Sequence, residues 1–302
     1  MTCGDEHDPR RCGERILTLA RDAERFVLVA PFITWPGFSP ILEALPPGCP
    51  VDVFTRWRAD EVAAGVSETG ILQYVEATGG KVRLHHMLHA KAYVSSSGGA
   101  LAGSANTTAT GLGWSATPGV ELLVSTSADD PALVGLFRLL DATSPVATED
   151  LRQQVLAQAR AFPLPKFREA SGEERGANLA AWLPSYSVPR ALWMVYIGER
   201  DETVTRLAQP DLDALDVPAG LDEEQFNAYV GSALLQGLPG LAAQRLSNLT
   251  TYKAVEGLAS LASDAGVEIE DPERRWNVLA AWVGYFLPNT YYQAVGGRAL
   301  HS

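Results

Sequence analysis

A chain of 302 residues, 46% hydrophobic, has the length of two ordinary domains or one large one. Its 36 acidic residues against 24 basic ones leave a net charge of −12, which excludes a surface coated in basic charge for gripping bare nucleic acid, though not a basic pocket. No stretch approaches the ~20 apolar residues of a membrane-spanning helix, so no membrane contact is expected.

The first fifteen residues alternate charges and lack the apolar core of a secretion signal. Cys3, Cys12 and Cys49 are odd in number and follow no zinc spacing, so they read as free thiols in a reducing cytoplasm. Without a secretion signal, the Asn-x-Thr triplets at Asn106 and Asn248 carry no glycosylation meaning.

From the N-terminus, Arg10 to Glu24 places Ile16, Leu17, Leu19 and Ala20 at helical spacing. Phe26 to Phe32 predicts a buried strand, and Phe38 to Leu45 a short helix stopped by Pro46, Pro47 and Gly48. Val51 to Thr55 predicts a second strand. Ser67 to Thr78 predicts a helix ended by Gly79 and Gly80. Strands follow at Lys81 to Leu84, His89 to Ser95, Ala100 to Ser104 and Val120 to Ser125, then a helix at Pro131 to Leu140. Strands alternating with helices indicate an α/β sheet, at least partly parallel and flanked by helices. Beyond residue 145 the pattern changes. Helices are expected at Leu151 to Phe162, Glu223 to Gln236, Leu241 to Leu261 and Arg274 to Phe286, with one strand at Leu192 to Ile197. The expected division is a catalytic domain, 1–145, and a mainly helical (α+β) accessory or partner-binding domain, 146–302. The aromatic cluster of Trp276, Trp282, Tyr285, Phe286, Tyr291 and Tyr292 reads as core of the latter.

The stretch that carries chemistry is His89-Ala90-Lys91, then Gly103-Ser104-Ala105-Asn106, then Glu121. Residues two apart on a strand share a face, so two adjacent strands would offer an imidazole, an ammonium, a hydroxyl and a carboxamide to one point. That set suits a phosphodiester. A neutral imidazole can attack phosphorus and divide one displacement into two. An ammonium neutralises the non-bridging oxygens, where charge gathers in the transition state. A carboxylate can fix the tautomer and orientation of the ring. No metal or other cofactor is called for. His85, His86 and His89 lack a fourth ligand for zinc, and His85 and His86 read as the end of a strand. Arg56 and Arg58, just past a strand's C-terminal end, are candidate substrate-binding groups, and with Lys81 and Arg83 would form a basic rim. Trp35, Trp57 and Trp114 are expected in the core rather than stacked on bases.

These residues resemble the phospholipase D superfamily, whose signature is His-x-Lys-x4-Asp, then Gly-Ser-x-Asn and a later Glu. The resemblance covers residues 25–140 and extends to Pro31-Phe32, Thr55-Arg56-Trp57 and Gly65 to Glu68, which look like its single-motif bacterial, nuclease-like members. It implies the phospholipase D-like fold for the first domain. It also implies His89 as nucleophile, Lys91 as phosphate clamp, Ser104 and Asn106 (with Gly103 beside them) as oxyanion contacts, and Glu121 as the acid that orients His89. The family Asp falls on Ser96, a loss shared with a nuclease branch that includes a metal-independent restriction enzyme.

The motif occurs once, whereas the chemistry needs one imidazole to attack and one to protonate the leaving oxygen. Family logic therefore implies a homodimer with both motifs in one cleft. The expected function is a metal-independent phosphodiesterase, a nuclease acting on DNA or RNA through a phosphohistidine. Because the acidic chain is a poor autonomous DNA binder, a helicase or translocase partner is expected to deliver the substrate. The resemblance suggests a bacterial restriction or anti-phage setting. Two other readings stay open. A phospholipase or phosphatidyltransferase would need an apolar membrane-facing surface beside the cleft, and no basic amphipathic helix of that kind is present in the sequence. A catalytically inactive adaptor would keep the fold and only dimerise.

Overall fold

The computed structural model describes residues 12–116, 118–162, 182–200, 202–293 and 300–302. Cys3 and most of the charged N-terminal stretch lie outside them; Cys12 and Cys49 are buried free thiols. The chain forms two compact units. One comprises Met1–Trp57, Glu61–Leu140 and Val146–Gln153; the other comprises Arg58–Asp60, Asp141–Pro145 and Gln154–Ser302.

The first unit is a six-stranded mixed sheet flanked by helices. Its elements are α1 (Cys12–Ala20), β1 (Phe26–Val29), α2 (Trp35–Ala44), β2 (Val51–Thr55), α3 (Ala59–Ala63), α4 (Ile71–Ala77), β3 (Val82–Leu84), β4 (Lys91–Ser95), β5 (Gly99–Gly103), β6 (Leu123–Ser127), α5 (Pro131–Thr143) and α6 (Glu149–Ala159). Helices α3, α5 and α6 each run across a division between the units. The strand order is β3-β2-β1-β4-β5-β6. β1, β2 and β3 run parallel, and β4, β5 and β6 each run antiparallel to the strand before them in that order. Lys91 pairs with Gly103. The start of β4 therefore lies beside the end of β5, at the C-terminal ends of the parallel strands. Ligands commonly bind at that end of an open α/β sheet.

Strand alternation gives the sheet two apolar faces. Val29, Phe54, Ala92, Val94 and Ala100 pack against Leu133 and Leu140 of α5. Each large side chain buried this way contributes about 1.5–3 kcal/mol relative to exposure. The alternate residues Leu28, Tyr93 and Leu101 are buried on the other side, where α1 lies against β4 and β5. β6 is the outer strand. Leu122 turns its own N–H and C=O toward Ser104, so the carbonyl of Leu123 points outward. Arg15 of α1 occupies it, with Nη1 2.6 Å from the Leu123 oxygen and Nη2 2.8 Å from Ser125 Oγ.

The second unit is helical. It holds a 3-10 turn at Pro189–Ala191, α7 (Leu192–Tyr196), α8 (Glu202–Leu215), α9 (Glu223–Leu234), α10 (Gly237–Leu246), α11 (Thr251–Asp264), α12 (Pro272–Phe286) and a two-stranded ladder of β7 (Tyr292–Gln293) and β8 (Leu300–His301). Trp276 and Trp282 are fully buried, whereas Tyr285 and Tyr292 are exposed. The strand expected at Leu192 to Ile197 is helix α7. Pro189 opens the turn before it and Gly198, at φ +79°, closes it. Leu192 and Val195 are buried three residues apart, and Trp193 stacks on Tyr196 at 5.4 Å. A short apolar run does not by itself distinguish the two periods. The single helix expected at Leu241 to Leu261 is two, α10 and α11, parted where Asn248 adopts φ +65°. The polar helix α8, which carries Pro210, has no counterpart among the sequence expectations.

Candidate active site

β4 begins at Lys91, so His89 precedes the strand and stands in the short connection from β3. His89 is exposed, while Lys91 is 8% exposed. Lys91 Nζ lies 3.1 Å from His89 Nε2. An ammonium has donors only, so a hydrogen bond from Lys91 is one that Nε2 accepts in the Nδ1–H tautomer. The contact sets the Lys91 side-chain nitrogen against Nε2 of the His89 ring.

Ser104 follows the last residue of β5 and extends the ladder by one rung. Its N–H donates to the Leu122 carbonyl at 2.9 Å, and its Oγ accepts from the Leu122 N–H at 3.0 Å. The Ser104 hydroxyl donates to Glu121 Oε2. Glu121 precedes β6 rather than lying on it, and its carboxylate holds Ser104 instead of the expected His89 ring. The cause is register: the Leu122–Ser104 rung sets the adjoining carboxylate against the hydroxyl. Gly103 serves the same rung, since a Cβ there would collide with the Leu122 carbonyl oxygen.

Asn106 sits between two fully buried neighbours, Ala105 and Thr107. Tyr93, two residues after Lys91, donates its hydroxyl to the Ala105 carbonyl at 3.0 Å and meets Thr107 Oγ1 at 3.1 Å. Its single proton goes to Ala105, so the Thr107 hydroxyl is the donor in the second bond. Burial pushes the Tyr93 phenol well above its ordinary value, against a smaller pull from Thr107, and keeps it a donor. Thr107 also donates its N–H to the Phe32 carbonyl and accepts from the Thr34 N–H. Asn106 Oδ1 is buried and has no hydrogen-bond partner. Tyr93 and Thr107 were not singled out by the sequence. The available signal was that Tyr93 shares the face of Lys91 at period two.

Arg56 and Arg58 do not form an open rim. Arg56 is 8% exposed and turned inward, forked on Glu61 and bonded to the Leu88 carbonyl. Arg58 belongs to the second unit and is 6% exposed, with Nη1 3.3 Å from Asp216 Oδ2 and its guanidinium over the Tyr229 ring. The Lys81 N–H bonds Asp52 near the start of β2, at the opposite end of the sheet. His85 and His86 follow β3 and are buried. Trp57 is fully buried, and Trp35 packs 4.1 Å from Tyr74. Among the described residues, no group of three or more His, Cys, Asp or Glu could hold a metal ion, and no helix is long and apolar enough to cross a membrane.

Ser96 lies at the far end of β4 from His89. Its Oγ accepts from the backbone N–H groups of Glu24 and Arg25, each at 3.0 Å, tying the entry of β1 to the exit of β4.

No protein-family model matches the chain, and no curated protein matches it. Among solved structures it is similar to Nuc from Salmonella typhimurium, a phospholipase D family member, with 18% identity and a TM-score of 0.35 over 45% of this chain and 90% of that one.

Proposed function

We propose that this chain is a phosphodiesterase acting on nucleic acid, with His89 as nucleophile and Lys91 as the charge that receives the phosphate. The observation that carries the reading is the 3.1 Å contact of Lys91 Nζ with His89 Nε2 at the C-terminal ends of the parallel strands. As the diester arrives, the Lys91 ammonium passes from Nε2 to the non-bridging oxygens, and the Nε2 lone pair so freed attacks phosphorus while the bond from phosphorus to the leaving oxygen breaks. That oxygen takes a proton from a second imidazole, which then removes a proton from the water that hydrolyses the phosphohistidine. Lys91 balances charge on the non-bridging oxygens throughout, a role that needs no metal ion. The buried, unpartnered Oδ1 of Asn106 leaves its carboxamide with hydrogen-bonding capacity in reserve.

The second imidazole is His89 of another copy in a two-fold dimer. Val120 and Leu122, which flank Glu121 just ahead of the outer strand, and Val124 on that strand support this: they alternate along the chain and are 82%, 65% and 55% exposed. Apolar residues grouped in this way mark association surfaces. The net charge of −12 favours delivery of nucleic acid by a partner such as a helicase or translocase. The setting we favour is bacterial defence against foreign DNA.

The test is cleavage of plasmid DNA and of single-stranded RNA in the presence of a chelator. Cleavage that survives chelation and disappears in His89→Ala is expected. Complete loss on chelation, or an undiminished His89→Ala variant, overturns the reading.

A further inference from the structure

We propose that Arg56 is a positioning residue for His89, acting through the peptide bond that joins Leu88 to it. The inference rests on the phosphodiesterase reading and adds a residue that sets the geometry of that site.

Arg56 directly follows β2, and its side chain is enclosed. Nε lies 3.0 Å from Glu61 Oε2 and Nη2 lies 2.5 Å from Glu61 Oε1, a two-pronged grip. The guanidinium carbon sits 5.0 Å from the centre of the Phe32 ring. The remaining arm, Nη1, donates to the Leu88 carbonyl at 3.0 Å. A buried ion pair is an expensive way to hold a protein together and is often replaceable by apolar side chains. What an apolar pair would not supply is the third bond, to Leu88.

That bond reaches the site because the peptide unit is planar. The Leu88 carbonyl belongs to the plane that ends at the His89 N–H and Cα. The Leu88 N–H is already tied to the His85 carbonyl at 2.9 Å, and His85 N–H to the Thr55 carbonyl at 2.9 Å. The Leu88 side chain is sunk in the core with Val29 and Phe54. On the other side of His89, the β4 ladder fixes Lys91. The exposed imidazole therefore springs from a short bridge with both ends held, and Arg56 supplies the hold on the upstream end. Its own backbone is fixed as well: the single proton of Ser67 Oγ is shared between the Arg56 carbonyl at 2.8 Å and the Pro31 carbonyl at 3.0 Å. Lysine cannot replace this fork, because a single ammonium does not span Glu61 and Leu88 in the same geometry.

The test compares the wild type with Arg56→Lys, which keeps a charge opposite Glu61, and with the double variant Arg56→Met, Glu61→Leu, which removes the ion pair without leaving either partner behind. Two quantities are read: hydrolysis of bis(4-nitrophenyl) phosphate, and the His89 ring signals in NMR spectra. We expect kcat to fall ~10- to 100-fold in both variants while KM stays within about two-fold, as misplacement of a reacting group by about 1 Å does. His89 ring signals should move, while those of His301, in the second unit, should not. Unchanged kcat together with unmoved His89 signals in either folded variant overturns the inference. A wild type that does not hydrolyse the ester defeats the phosphodiesterase reading alone, and the His89 signals then still decide whether Arg56 positions the ring.

Discussion

Tyr93 donates its hydroxyl to the carbonyl of Ala105 from beneath the sheet end that carries Lys91. One side chain thereby ties the strand of the His-x-Lys pair to the loop that presents Asn106. The lysine and the carboxamide stand on different elements, and this bond links those elements through a buried phenol.

Replacing Tyr93 with Phe removes both the Ala105 and the Thr107 bonds. The expected cost is about 1–3 kcal/mol of unfolding free energy, since buried partners are left unsatisfied. Urea unfolding measures it. If the loop depends on this anchor, KM for a phosphodiester rises more than kcat falls. A variant as stable as the wild type would show that Thr107 and Phe32 hold the loop by themselves.

Lys91→Met should lower kcat/KM for a phosphodiester by roughly two orders of magnitude or more, the order of loss seen when a group stabilising transition-state charge is removed. Lys91→Arg should recover only part, because a planar fork replaces a compact ammonium in a nearly closed space. Steady-state kinetics on one synthetic diester separates the three proteins.

Ser96 stands where the phospholipase D signature that this motif resembles has Asp, and here its side chain ties backbone to backbone. Ser96→Ala should cost about 1 kcal/mol, leaving the Glu24 and Arg25 N–H groups without their acceptor, with kcat unaffected. Ser96→Asp should be tolerated, since a carboxylate can accept the same two bonds. A large loss of kcat in Ser96→Ala at unchanged fold would contradict this assignment.

Leu122→Asp places a charge in the exposed apolar stripe. In sedimentation at micromolar concentration the wild type should run as a dimer and the variant as a monomer, with cleavage lost in parallel. A wild type that is monomeric at all concentrations tested would defeat the shared cleft.

In the second unit, burial pushes the Asp211 carboxyl above its ordinary value. Bonds from Tyr186 N–H, Trp182 Nε1–H and the Ser185 N–H and hydroxyl pull the other way. A carboxyl raised on folding binds its proton more tightly in the native state. Its stabilising contribution is therefore complete below the unfolded value near 3.8 and is lost as pH rises through the higher native one. Urea midpoints measured upward from pH 4 should carry this slope in the wild type and lack it in Asp211→Asn. The opposite slope would mean that the four donors outweigh burial.

The sheet was legible because its strands are short apolar runs bounded by Pro and Gly, and Val51 to Thr55 matches β2 residue for residue. The ends were less legible. His89, Ser104 and Glu121, each expected within a strand, sit one or two residues outside the observed β4, β5 and β6, because the ladder is set by pairing with neighbours that no local pattern reveals. Arg56 read as a surface cation because its partners, Glu61 and Leu88, only become neighbours through the fold. In the second half, Leu192 to Tyr196 has the composition of a strand but is a helix that packs on Phe226, whose ring centre lies 4.9 Å from that of Tyr196 and 5.4 Å from that of Trp193. Tertiary packing of this kind overrides local preference.

The guanidinium of Arg15 closes the rim of β6 at Leu123 and Ser125. A newcomer strand cannot zip onto that margin without evicting a charged group from a strong acceptor, and open sheet margins are where chains otherwise fuse into aggregates. Pairing of two copies at this margin accordingly proceeds through side chains meeting side chains, which leaves it tunable by single substitutions.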